Sequence, residues 1–168
     1  HMTELDNFSG TTFAGCRIDK KVGQGGMGAV YTAHHLALDK TVCVKVLSPD
    51  LAKEGRNIEF FLREARSAAK LEHANIVRVY NFGQENGLHY IIMSYIEGSS
   101  LADIVAKNGP MDTDTATGIM LEVFDALRHA YSNAIIHRDI KPFNILLSSD
   151  GHASIVDFGL ARSTSEEK

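Results

Sequence analysis

The residues best suited to chemistry stand late in the chain. His137-Arg138-Asp139-Ile140-Lys141-Pro142-Phe143-Asn144 is followed, 13 positions after its asparagine, by Asp157-Phe158-Gly159. Mg²⁺ is a hard cation that takes few protein carboxylates and fills its remaining positions with substrate phosphates and water. Asn144 and Asp157 offer such oxygens. A carboxylate that orients an attacking hydroxyl and accepts its proton is the other requirement of phosphoryl transfer, and Asp139 suits it. Lys141, two residues further on, can neutralise charge on the group in flight.

Three features of the first half are weaker alone. Gly23-x-Gly25-Gly26-x-Gly28-x-Val30 is a glycine-rich loop, whose backbone can approach phosphate oxygens and adopt positive φ. A dinucleotide fingerprint needs a helix after the loop. Here a β-type run, 29–34, follows, so that reading falls and a flexible hairpin remains the plain alternative. Lys45 sits among Val42, Val44, Val46 and Leu47; alone it reads as an edge lysine facing solvent. Glu64 alone reads as a solvated helix charge.

These residues need elements to hold them. Extended runs at 13–22, 29–34 and 41–47 are linked by short connections and read as antiparallel strands. Ile58, Phe61, Leu62, Ala65, Ala68 and Ala69 share one face of a helix, with Asn57 as its expected N-cap. Strands at 76–82 and 88–94 flank Asn86-Gly87, a strong hairpin signal. Ser100 caps a helix at 101–107 that Asn108-Gly109-Pro110 stops. A longer helix, 113–134, starts near Asp112, Thr113 or Asp114, with its apolar stripe at Met120, Val123, Phe124, Leu127, Tyr131 and Ala134. Two short strands, 145–147 and 153–156, flank Ser149-Asp150-Gly151. Five strands with one inserted helix, then mostly helix, predict an α+β arrangement in two lobes.

Composition narrows the class. The 168 residues are 44% hydrophobic, ordinary for a globular chain and too apolar for disorder. Charges of 17 basic against 21 acidic residues give −4, with the basic ones scattered, which argues against a nucleic-acid partner. No apolar run reaches the roughly 18–20 residues of a membrane helix, and no signal segment opens the chain, so a cytoplasmic location is expected. Cys16 and Cys43 are too few for a disulfide framework and are expected to be reduced. His1-Met2 reads as a tag remnant.

Taken together and in order, the glycine loop, Lys45, Glu64, the 137–144 motif and Asp157-Phe158-Gly159 resemble the eukaryotic-type protein kinases. Lys141-Pro142 and the Gly-Gly-Met-Gly variant are similar to the bacterial serine/threonine branch. The resemblance implies a protein-kinase-like fold with a five-stranded antiparallel N-lobe sheet carrying one main helix. It divides the chain into a tail at 1–12, the N-lobe at 13–94, a hinge at 95–99, a partial, mostly helical C-lobe at 100–162 and an activation-segment stub at 163–168.

It also implies roles. The expected activity is ATP- and Mg²⁺-dependent transfer to serine or threonine hydroxyls of a protein substrate. Lys45 would hold the α- and β-phosphates and pair with Glu64, beneath a loop of Gly23, Gly25, Gly26 and Gly28. Asp139 would be the base, with Lys141 beside it, while Asn144 and Asp157 would bind Mg²⁺. Met93 matches the gatekeeper, and the carbonyl of Ser94 and the amide of Ile96 would face adenine. Val30, Cys43 and Leu146 would sandwich the ring, Cys43 replacing the usual alanine. Ala68, Val79, His137 and Phe158 match a stacked hydrophobic spine. The family's later elements have no counterpart after 162, so the chain reads as a kinase cut short after its magnesium loop. Two alternatives stay open: a nucleotide-binding module without transfer, and a small-molecule phosphotransferase. Apolar surface left on the long helix predicts a homodimer.

Overall fold

The computed structural model describes residues 8–25, 28–158 and 162–163. These fall into two compact units. One contains the residues up to Ala65 together with Val79–Tyr95; the other contains Arg66–Arg78 together with the residues from Ile96 on.

The first unit is built on an antiparallel sheet of β1 (Thr12–Phe13), β2 (Cys16–Gly25), β3 (Gly28–His35), β4 (Lys40–Leu47), β5 (Val79–Glu85) and β6 (Leu88–Ser94). Its order is β1-β2-β3-β4-β6-β5. The expected five strands are therefore six. The added β1 pairs with β2 through an Ala14-Gly15 turn whose residues have φ of 51° and 75°. Two positive φ values define the hairpin turn that matches strand twist, but alanine is an uncommon choice for it. Glu85 secures the turn by accepting the Ala14 N–H at 2.6 Å. The expected Asn86-Gly87 turn is present, with φ of 50° and 78°.

Alternation sorts β4. Val42, Val44 and Val46 face a cluster with Ile18, Tyr31 and Ile92. Leu47 lies on the opposite face and packs with Phe61, Ala65 and Ile91 beneath α1 (Gly55–Ala69). Asn57 is not the N-cap of α1. The helix starts two residues earlier, and the Asn57 amide donates to the Leu51 carbonyl at 2.9 Å.

The second unit contains α2 (Leu101–Asn108) and α3 (Thr113–Ser132), with β7 (Gly98–Ser100), β8 (Ile135–Ile136), β9 (Ile145–Ser148), β10 (Ala153–Ile155) and β11 (Arg162–Ser163). A small antiparallel sheet runs β10-β9-β7, and β8 pairs with β11. Ser100 Oγ accepts the Asp103 N–H, as expected, and of the three residues at which α3 could start, Asp112 is its cap, accepting the Thr115 N–H.

Two expectations change here. The run at 76–82 is divided: β5 begins at Val79, while Ile76 and Val77 are buried in the second unit, where Val77 N–H reaches Ile155 O. The buried stripe of α3 is Ile119, Val123, Ala126 and Ala130. Of the expected stripe Val123 is buried and Met120 and Leu127 are half-buried, while Phe124 and Tyr131 are exposed, as is Leu121, because the face that the fold buries lies about one residue round the helix from theirs. Among the described residues no helix is long and apolar enough to cross a membrane.

Candidate active site

In the first unit, β2 and β3 run into the glycine loop with Gly23 opposite Val30 and Gly25 opposite Gly28. Gly26 lies outside the described residues. Gly28 is dictated from within: its φ is 154°, and a Cβ there would stand 2.0 Å from the Val46 carbonyl oxygen. Gly23 is different. A Cβ at 23 would meet only the Val30 Cβ, at 4.0 Å, so nothing inside the fold demands glycine.

Lys45 shares the α1-facing side of β4 with Cys43 and Leu47. Its Nζ lies 2.7 Å from Glu64 Oε2, with the two side chains only 16% and 11% exposed. The solvent-facing reading of both residues gives way to a nearly buried ion pair. Phe61, one helical turn before Glu64, packs beneath Leu47 and fixes the helix face that carries the carboxylate. Cys43 is opposite Met93 across β4 and β6, and burial raises its thiol pKa to about 11, so it is an unreactive wall residue. Cys16 is likewise free and buried. Val30 and Met93 are half-buried, and Ser94 ends β6 opposite Val42. Val79 is half-buried in the same unit.

In the second unit the 137–144 segment folds around its own hydrogen bonds. His137 is 1% exposed; its Nε2 donates to the Val156 carbonyl at 3.0 Å and its Nδ1 accepts the Asp139 N–H at 3.1 Å. The Phe158 ring meets it edge-on, centroids 4.7 Å apart. Burial holds the imidazole pKa below its ordinary value, so His137 is neutral and serves as a post. Asp139 Oδ2 receives the Asn144 amide at 3.1 Å and lies 3.3 Å from Lys141 Nζ. Pro142–Asn144 forms a 3-10 turn closed by Asn144 N–H to Lys141 O, which turns the Asn144 side chain back toward Asp139.

The Asn144 carbonyl accepts the Val156 N–H at 3.0 Å, tying this loop to the strand that delivers Asp157. Asp157 itself is exposed, with φ of 60°; Arg138 has φ of 71°. Left-handed backbone at non-glycine residues is uncommon and gathers at functional loops. Ala68 is buried, while Ile96 and Leu146 are half-buried, the latter opposite Ser154 and Ser100. No cluster of three His, Cys, Asp or Glu side chains forms among the described residues. The donors are hard oxygens, of the kind Mg²⁺ takes with phosphate and water. Sequence reasoning missed Asn75 and Glu122, which bind β10 from its other side; nothing in their spacing marked them.

Comparison with known proteins identifies the family. Residues 16–168 match the protein kinase domain family. The chain is 42% identical over 149 residues to the serine/threonine-protein kinase PrkC of Bacillus subtilis, covering 89% of this chain and 23% of that protein. It is 34% identical over 163 residues to PknH of Mycobacterium tuberculosis, covering 97% and 26%. The crystal structure of the M. tuberculosis PknI kinase domain superposes with a TM-score of 0.79 at 33% identity, over 90% of this chain and 61% of that one. The chain thus belongs to the protein kinase domain family, on its bacterial serine/threonine branch. It spans about a quarter of the length of the curated relatives it matches.

Proposed function

We propose that this chain carries the ATP- and Mg²⁺-dependent transfer of a phosphoryl group to serine or threonine hydroxyls of a protein. The observation that carries the reading is the Asp139-centred cluster: a carboxylate whose Oδ2 is held by Asn144 and flanked by Lys141. Asp139 orients the acceptor hydroxyl and takes its proton as the new bond to the γ-phosphorus forms and the bond from that phosphorus to the ADP oxygen breaks, ADP leaving. Lys141 stabilises the negative charge on the transferring group. Asn144 Oδ1 and Asp157 would hold Mg²⁺, which when bound would supply positive charge to the phosphates. Lys45, held straight by Glu64, takes the α- and β-phosphates, and Gly23, Gly25, Gly26 and Gly28 allow backbone approach to them. In the first unit Val30, Cys43 and Met93 would give apolar contacts to adenine and Ser94 a main-chain partner; in the second unit Leu146 and Ile96 would do the same.

Transfer of label from radioactive ATP to a protein acceptor tests this, with Asp139→Asn as the control. Asparagine keeps an oxygen for the Asn144 amide but cannot take the proton, so label transfer should vanish while nucleotide binding persists. Binding without transfer in the unmodified chain would favour the second reading, a nucleotide-binding module.

The partner added by this reading is a second copy. Leu121, Phe124 and Tyr131 lie on one side of α3 and are 64%, 58% and 67% exposed. Covering such side chains is worth roughly 1.5–3 kcal/mol each. Light scattering at micromolar concentration should report a dimer that Phe124→Asp dissociates; a stable monomer would refute it.

A further inference from the structure

β10 is only three residues long, yet four backbone groups on it find partners beyond the strand ladder. Ala153 N–H donates to Glu122 Oε2 at 3.0 Å, and Ala153 O accepts the Asn75 amide at 2.8 Å. Ile155 N–H donates to Asn75 O at 2.8 Å, and Ile155 O accepts Val77 N–H at 3.0 Å. Asn75 thus holds the strand with both its main chain and its side chain, and the same amide donates to Glu122 Oε2 at 2.5 Å.

Asn75 is itself fixed. Its N–H donates to His73 Nδ1 at 3.0 Å, which leaves the proton on Nε2 to bond Asp125 Oδ2 at 2.9 Å. Glu122 and Asp125 stand three apart on α3 and therefore on one face. The 73–77 segment, α3 and β10 form one hydrogen-bonded node. Two residues beyond Ile155 is Asp157, whose left-handed backbone persists only where its surroundings fix it.

We propose that Asn75 and Glu122 are positioning residues for the metal: by fixing the outer side of β10 they set where Asp157 stands relative to Asn144. The proposal rests on the assignment of those two residues to Mg²⁺. Neither Asn75 nor Glu122 touches nucleotide or metal in it. They act as outer-shell supports, whose loss typically weakens metal affinity at least about tenfold.

The test is affinity for a fluorescent ATP analogue, titrated into the whole chain in Mg²⁺ and again in EDTA, below each variant's melting temperature. The unmodified chain should bind more tightly with Mg²⁺, and Asp157→Ala should lose that gain. Glu122→Ala and Asn75→Asp should lose most of it too, about tenfold, while keeping the EDTA affinity, since Lys45 and the glycine loop are untouched. Asn75→Asp is nearly isosteric but turns a donor into a carboxylate facing Glu122 and the Ala153 carbonyl. Glu122→Gln should retain the gain, because one amide oxygen can accept both N–H groups that Oε2 accepts now.

A Mg²⁺ gain that is sensitive to Asp157→Ala but unchanged in Asn75→Asp and Glu122→Ala would overturn the positioning role alone. Equal loss with and without the metal would overturn it as well, leaving a purely structural node. No gain in the unmodified chain would overturn the metal assignment first, and the proposal with it.

Discussion

Asn144 donates twice to Asp139: its amide Nδ2 lies 2.9 Å from the Asp139 backbone carbonyl and 3.1 Å from its carboxylate Oδ2. One side chain thus sets the loop's turn and its carboxylate's direction, while its Oδ1 faces away from both bonds. Because Asn144 is buried, Asn144→Ala leaves the Asp139 carbonyl without its donor and should lower stability by about 1–3 kcal/mol. Denaturant unfolding measures that loss, and the Mg²⁺-dependent gain in nucleotide affinity should fall with it.

The Lys45–Glu64 pair allows stability and function to be separated. Lys45→Met removes a nearly buried, charge-assisted bond and should cost about 1–3 kcal/mol. It should also shrink the rise in melting temperature produced by Mg²⁺-ATP. Replacing both partners, Lys45→Met with Glu64→Leu, should recover much of the stability, since a buried pair exchanged for apolar side chains is often neutral. The nucleotide-induced rise should stay lost. Its return in the double variant would remove Lys45 from the phosphate site.

Two glycines of one loop should respond in opposite ways. Gly23→Ala meets only ordinary contact and should leave stability unchanged or raise it by up to about 1 kcal/mol, while weakening nucleotide binding. Gly28→Ala drives a Cβ into the Val46 carbonyl and should unfold the hairpin. Thermal melts with and without Mg²⁺-ATP distinguish the two. Unchanged affinity in Gly23→Ala would mean that the loop does not approach phosphate there.

His137 gives stability a pH dependence of known sign. Burial depresses its pKa in the folded chain, so the unfolded chain binds the proton more readily. Its contribution is complete above the unfolded value of about 6.5 and is lost as pH falls below it toward the depressed folded value. His137→Phe should flatten that part of the stability profile while lowering stability overall, because the Val156 carbonyl loses its donor. An identical slope in both proteins would show that other groups carry it.

Much of this was legible in the sequence because local rules decided it. Asn86-Gly87 encodes its own turn, and Ser100 encodes its cap. The ordered motif around Asp139, Asn144 and Asp157 made the family legible as well. What stayed hidden depends on partners distant along the chain. The β1 hairpin hides because Ala14-Gly15 is a poor turn signal until Glu85 supports it. Ile76 and Val77 look like the start of β5, and the bonds that Asn75 and Val77 make to Ile155, on either side of Ile76, take them elsewhere. The stripe of α3 is only partly legible: Val123 belongs to both faces, but Phe124 and Tyr131 draw the reading about one residue round the helix from the buried face at 119, 123, 126 and 130. Lys45 could not be oriented by its strand alone, since α1 supplies the carboxylate that turns it inward.

The hydrogen bonding around β10 bears also on how the chain behaves among other chains. A small sheet ends in strands whose unpaired N–H and C=O groups template foreign strands, the usual route to aggregation and strand exchange. On the outer flank of β10 those groups are occupied by Asn75, Val77 and Glu122, two of them through side chains that cannot propagate a ladder. This flank is sealed against recruitment of another strand. Solubility and the placement of Asp157 therefore draw on the same few atoms, and a substitution at Asn75 would loosen both together.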